Sequence, residues 1–221
     1  LYGTMAYIDD ETKQHNEELA QERDDLTRLL TKESMFQSVE EYLEIIPKDV
    51  IADLLVIDID DFTEWRELYG SINSEGVLVE ISRILKRAFR GSDLIGRVGE
   101  DQFAVFMKGV HTASILLERA SYVRQTVKEV WGDFENCGGV TVSIGISVFP
   151  EDGVDADTLI QYADTAMYRA KEAGRDAFRF FTAEMNAQSM ARLDMENALR
   201  RAIDNEEFVL FFQPKVNIIS G

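Results

Sequence analysis

The stretch Asp93-Leu94-Ile95-Gly96-Arg97-Val98-Gly99-Glu100-Asp101-Gln102-Phe103-Ala104-Val105-Phe106-Met107 decides the reading of this chain. Two β-rich runs, Leu94–Val98 and Phe103–Met107, flank a short polar turn, Gly99 to Gln102. That pattern predicts a β-hairpin with a carboxylate at its tip. Upstream, the apolar run Val50–Ile57 passes through Asp58, Asp60 and Asp61 straight into a helical pattern. If this run and the hairpin lie in one sheet, Asp58 and Asp101 converge at one edge as hard oxygen ligands for Mg²⁺. The alternative is that Asp58, Asp60 and Asp61 cap the following helix.

Around this centre the periodicities alternate between 2 and 3.6. Thr31 to Ile45 predicts a helix stopped by Pro47, and Val50–Ile57 has the continuous apolar character of a strand covered on both faces. Gly70 marks a turn between two helices, the second carrying Val77, Leu78, Ile81, Ile84, Leu85 and Ala88 at helical spacing. After the hairpin, Leu116, Ala120, Val123, Val127 and Val130 predict another amphipathic helix. Gly139–Phe149, broken by Gly145, predicts a strand. Asp155–Ala173 predicts a helix burying Leu159, Ala163, Ala166, Met167 and Ala170 and ending at Gly174; Ala177–Phe181 predicts a last strand. The fold class is therefore α/β (α+β): a ferredoxin-like βαββαβ core of about five strands, antiparallel-dominated, with helices on both faces.

The composition sets outer bounds. With 221 residues, 45% hydrophobic and 29% charged, the chain can bury a full core. A formal charge of −18, from 41 acidic against 23 basic residues, argues against nucleic acid and membrane surfaces as partners. The single cysteine, Cys137, excludes an internal disulfide. No apolar run approaches the roughly 20 residues of a membrane span. The polar amino terminus is unlike a secretion signal, so a cytoplasmic location is expected. The chain lacks an initiating methionine and stops mid-pattern at Gly221, as expected of a piece of a longer protein.

Three stretches, in order, resemble the signatures of the GGDEF family: Val56 to Phe62, Gly99 to Phe103, and Ala163 to Arg175. The segment Asp24 to Leu30 resembles that family's opening motif, with Arg28 in place of a glycine. The resemblance implies a domain over 24–182 and synthesis of cyclic di-GMP from two GTP molecules. It implies Mg²⁺ held by Asp58 and Asp101, and phosphates met by the backbone around Asp61 and Phe62 and by Lys171 and Arg175. The base-reading Asn and Asp fall on Arg66 and Glu75. Arg offers only donors where an amide would offer both donor and acceptor. Thr63, Ser71 and Ser74 replace a Lys, a His and a Gly. In the name-giving motif Glu100 replaces the second glycine, placing a side chain and a negative charge beside a triphosphate, and Gln102 replaces an acid. Together these departures argue against two-GTP condensation. Arg90-Gly91-Ser92-Asp93 resembles the family's inhibitory site for cyclic di-GMP, with Arg90 and Asp93 as its contacts; the same four residues would also serve as an ordinary polar turn.

Residues 1–23 precede the domain as a helical linker. Met5, Ile8, Leu19, Leu26 and Leu29 fall on a seam interrupted by Thr12, His15 and Glu22, predicting at most a conditional coiled coil and a homodimer. Residues 183–221 combine a helix, including Met190, Leu193, Leu199, Ala202 and Ile203, with Glu207 to Asn217, which resembles the start of an EAL phosphodiesterase domain. The expected function is a catalytically silent GGDEF domain acting on its own EAL domain through dimerisation and binding of GTP or cyclic di-GMP. The alternatives are a residually active cyclase and a pure interaction scaffold.

Overall fold

A computed structural model of the chain describes residues 22–47, 50–109, 112–131 and 139–185, together with 195, 198–199, 201–203 and 207. The elements run α1 (Lys32–Ile45), β1 (Ala52–Ile59), α2 (Phe62–Tyr69), α3 (Ser71–Ala88), β2 (Leu94–Arg97), β3 (Gln102–Met107), α4 (Ala113–Trp131), β4 (Val142–Phe149), α5 (Ala156–Glu172) and β5 (Phe178–Phe180). The sheet order is β2-β3-β1-β4-β5. The β1/β3, β1/β4 and β2/β3 pairs are antiparallel, and β5 alone joins in parallel, beside β4. The hairpin strand β3 thus lies between β1 and β2, the split βαβ arrangement expected of a ferredoxin-like core.

Every residue of β1 is buried, because both faces of the strand are covered. Leu55, Ile57 and Ile59 share a core with Phe62 and Trp65 of α2, α3 and α4. Leu54 and Val56 face Met35 and Val39 of α1 and Leu159, Ala163 and Met167 of α5. Period-2 alternation then puts Asp58 on the α1/α5 side. The strand extends two residues beyond the predicted Ile57, because Asp58 still pairs with Gln102 and Ser143, and Ile59 with Val142.

Local chemistry starts and stops these elements. The Thr31 side chain caps α1 by accepting from Ser34 N, and Asp155 caps α5 by accepting from Thr158 N at 2.8 Å. Gly70, with φ of 79°, allows α2 to turn directly into α3. On α4 the expected Val130 is 45% exposed and Trp131 is buried instead, since the larger ring one position on takes the core-facing place in the last turn. Gly145 does not break β4. An added Cβ there would lie 1.8 Å from the Ala163 carbonyl oxygen and 2.2 Å from Met167 N, so the glycine lets the α5 backbone press onto the sheet.

Leu26 and Leu29, placed by the sequence on a coiled-coil seam, instead belong to the turn preceding α1, and Leu29 is 2% exposed in the core. The rest of that seam lies outside the described residues, as do Cys137, Met190, Leu193 and the segment after Glu207. Contacts divide the chain into Leu1–Met185 and Asn186–Gly221; in the second unit Met195, Leu199 and Ile203 are helical and exposed. No helix among the described residues is long and apolar enough to cross a membrane.

Gly145→Ala should cost about 3 kcal/mol or more in denaturant unfolding, because the obstruction is backbone and cannot rotate away. A second prediction concerns Asp53, which burial pushes up to about 6. A carboxyl raised on folding adds stability below its unfolded pKa and loses it as pH rises through the folded value. Stability should therefore fall between about pH 4 and 6, by at most about 3 kcal/mol from this group, and Asp53→Asn should flatten that slope in urea titrations.

Candidate functional site

The site gathers where β1 ends. Ile59 N donates to the Asp101 carbonyl at 3.2 Å, pinning the hairpin tip to the strand, and Asp60 N donates to the Thr141 carbonyl at 2.9 Å. Asp58 is 3% exposed. Its Oδ2 accepts from Gln102 Nε2 at 3.0 Å, and its Oδ1 lies 2.5 Å from Lys171 Nζ, in ion-pair contact but outside hydrogen-bond alignment. Burial pushes the Asp58 carboxyl above its ordinary range. Lys171 and Gln102 oppose that shift and the Asp101 charge adds to it. Asp101, 43 positions further along the sequence, is thus within electrostatic reach of Asp58 at the end of β1. Asp164 of α5 belongs to the same electrostatic cluster: it opens to solvent, yet enclosure by the chain and repulsion from Asp58 hold its carboxyl high. A cavity of about 550 Å³ between α1 and α5 opens beside Gln102 and Asp164.

The helix-cap alternative fails for all three aspartates. Asp61 sits at the N-cap of α2 in left-handed conformation, with φ of 52°, and makes no side-chain cap. Its Oδ1 instead takes Arg175 Nε at 3.0 Å. Asp60 is a buried structural hub, accepting from Thr141 Oγ1 and Ser143 Oγ, each at 2.7 Å, and from Asp176 N at 3.1 Å. Asp176 is gripped by Arg124 Nη1 at 2.9 Å and Lys128 Nζ at 2.7 Å. This network holds the positive-φ run Gly174, Arg175 and Asp176, and so sets where Arg175 projects. Phe62 is buried, contributing its backbone to the start of α2, and Glu75 is exposed on α3.

Two oppositely charged side chains from separate elements meet each other. Arg66 of α2 forms an ion pair with Glu100 at the hairpin tip, and its guanidinium lies 5.9 Å from the Phe62 ring centroid. The tip is held from the other side by Arg97, whose Nη2 donates to the Glu100 carbonyl at 2.7 Å and whose Nη1 pairs with Asp24 at 3.2 Å. Asp24 in turn accepts from Thr27 N at 2.7 Å and Thr27 Oγ1 at 2.6 Å, closing the turn that leads into α1. Sequence reading missed the Asp60 hub, Asp164 and the Arg66–Glu100 pair. Only the last left a signal, opposite charges introduced at two positions of one expected pocket.

At the other expected site, Asp93 is 8% exposed and spends its carboxylate on the backbone, accepting from Arg90 N at 2.8 Å and Lys108 N at 3.3 Å. Arg90 is exposed beside a cavity of about 500 Å³ that also borders Arg23, Lys86 and Lys108.

The Diguanylate cyclase, GGDEF domain family model matches residues 21–177. The chain belongs to the GGDEF family. It is 30% identical over 202 residues to the bifunctional diguanylate cyclase/cyclic di-GMP phosphodiesterase MucR of Pseudomonas aeruginosa, covering 90% of this chain and 29% of MucR. It is 31% identical over 167 residues to the cyclic di-GMP phosphodiesterase PdeR of Escherichia coli, covering 74% of this chain and 24% of PdeR. The chain thus spans under a third of these relatives. Among solved structures, the GGDEF domain of TpbB (YfiN) from Pseudomonas aeruginosa superposes with a TM-score of 0.70 at 26% identity, covering 76% of this chain and 99% of that one. The coiled coil and GGDEF domain of DgcB from Caulobacter crescentus, in complex with c-di-GMP, has a TM-score of 0.71 at 20% identity, covering 81% and 96%.

The donor set suits Mg²⁺ in one respect. Asp58 and Asp101 supply hard oxygens, and Mg²⁺ binds through one or two carboxylates when substrate phosphates and water complete its shell. Among the described residues no group of three or more His, Cys, Asp or Glu is placed to hold a metal unaided. Lys171→Met would strip the cation from a buried carboxylate. The expected cost is about 2–3 kcal/mol at pH 8, below the usual range for a fully buried pair because Lys171 is partly exposed. With Asp58 raised further, the loss should shrink as pH falls and the carboxyl protonates, a trend measurable by urea unfolding at pH 8 and pH 5.

Proposed function

We propose that this GGDEF domain does not synthesise cyclic di-GMP and instead regulates an adjoining phosphodiesterase domain of the EAL type within a longer chain, through dimerisation and nucleotide binding. The observation that carries this reading is the state of Asp58. Gln102, standing where the family pattern has an acid, donates to one carboxylate oxygen, while Lys171 engages the other. The residue expected to hold Mg²⁺ is thereby tied to its own neighbours, and a second acid beside it is lost. Arg66 and Glu75 in place of an Asn and an Asp remove the matched contacts to a guanine edge, typically worth about a hundredfold or more in selectivity. Condensation of two GTP molecules needs two loaded half-sites to face each other, so these defects compound.

Binding without turnover is compatible with what remains. Asp101, Lys171, Arg175 and the start of α2 can receive Mg²⁺ and phosphate oxygens, contacts indifferent to the base. The Arg90 cavity, bordered by three further cations in an acidic chain, supports cyclic di-GMP as a second ligand. The curated relatives MucR and PdeR carry phosphodiesterase names, which supports an EAL domain as the regulated partner.

With Mg²⁺ and GTP the purified chain should form no cyclic di-GMP above background by chromatography. Product that appears with the wild type and vanishes with Asp101→Ala would establish it as a cyclase and overturn the reading.

A further inference from the structure

Three basic side chains of the site are each engaged by a carboxylate of this same chain: Lys171 by Asp58, Arg175 by Asp61 and Arg66 by Glu100. The first two carboxylates stand at the end of β1 and in the turn that follows it. The third is different, because Glu100 stands at the hairpin tip and both members of its pair depart from the family pattern. The tip does not wave freely. Val98 N donates to the Gln102 carbonyl at 2.9 Å, and Arg97 grips the Glu100 carbonyl at 2.7 Å, so the backbone presents the Glu100 side chain toward α2. On α2 the Arg66 side chain is 34% exposed and lies beside the Phe62 ring, at the helix whose first turn is the expected phosphate cradle.

We infer that Arg66 and Glu100 are an autoinhibitory pair, in which Glu100 occupies the Arg66 guanidinium in the manner of a bound anion and weakens the entry of nucleoside triphosphates until it is displaced. This rests on the reading that triphosphates, when they bind, do so at Asp101, Lys171, Arg175 and the start of α2. A triphosphate entering between α2 and the tip meets the Glu100 charge and cannot use Arg66 without breaking the pair. Once freed, the guanidinium offers a fork of donors matched to phosphate oxygens. The pair therefore acts twice, by repulsion and by sequestering a cation. Because Glu100 is 64% exposed, both effects are screened by salt.

The test is calorimetric titration of the full 221-residue chain with Mg·GTP and Mg·ATP, at low salt and at about 0.5 M salt. The proteins are the wild type, Glu100→Gln, Arg66→Ala and the double variant. Glu100→Gln keeps the side-chain size and removes only the charge. It should tighten both nucleotides about tenfold at low salt, about 1.4 kcal/mol, and by less at high salt. In the Arg66→Ala background the same change should give about threefold or less, since only the repulsion remains to be relieved. Equal gains in the two backgrounds would show that Glu100 acts by its charge alone and overturn the pairing role. Wild-type binding that Glu100→Gln leaves within about twofold would overturn it too, while leaving nucleotide binding at the site intact. If no variant binds either nucleotide, both the pair's role and the nucleotide-binding reading fall.

Discussion

Asp58 and Asp60 are buried at the end of a strand that is covered on both faces, and a buried carboxylate must find donors or give up its charge. Two residues apart, they point to the same side of the sheet, yet they are satisfied in different ways. Asp60 is enclosed by the hydroxyls of Thr141 and Ser143 and by the Asp176 amide, all supplied by the polypeptide. Asp58 relies on the tips of two movable side chains, Lys171 and Gln102, and its carboxyl is held above the ordinary range by burial. The first arrangement builds the site and the second leaves it chemically responsive.

The rest of the architecture supplies those donors. Lys171 reaches Asp58 because α5 lies directly on β4 at Gly145, a separation that any side chain would prevent. Gln102 reaches it because β3 pairs with β1 in a register that sets Gln102 opposite Asp58. Arg175 faces Asp61 because the turn after α5 is fastened through Asp176 to Asp60, Arg124 and Lys128. Each functional side chain is thus positioned by backbone packing at some distance from it. The tip residue Glu100 is held likewise, through Arg97 to Asp24 in the turn that opens the domain.

Within this GGDEF domain several charged and polar side chains of the site answer one another. Gln102 donates to Asp58 from the opposing strand, while Glu100 and Arg66 form an ion pair between the hairpin tip and α2. A triphosphate site needs cations free to meet phosphate and acids free to meet metal. Here Asp58 and the cations Lys171, Arg175 and Arg66 are engaged within the chain, and the proposal of nucleotide binding without synthesis rests on that arrangement.

Sequence alone determined the elements and their order, because burial patterning is written locally: the continuous apolar run of β1, the spacing of Leu159, Ala163 and Met167, the turn at Gly70 and the hairpin from Leu94 to Met107 each occupy a few consecutive residues. It brought Asp58 and Asp101 together only on the condition that the strand and the hairpin share a sheet, and left helix capping open as the alternative. Tertiary structure decided what those groups do to one another. The Asp60 bonds to Thr141 and Ser143 span 81 and 83 residues, and Arg66 meets Glu100 between a helix and a hairpin tip that share no periodicity. Leu26 and Leu29 fit a coiled-coil seam on spacing yet sit in the turn before α1, because Leu29 gains more from burial in the domain core than a broken heptad could offer. Pattern reports which faces are apolar. Which charge answers which is settled only when distant segments are packed together.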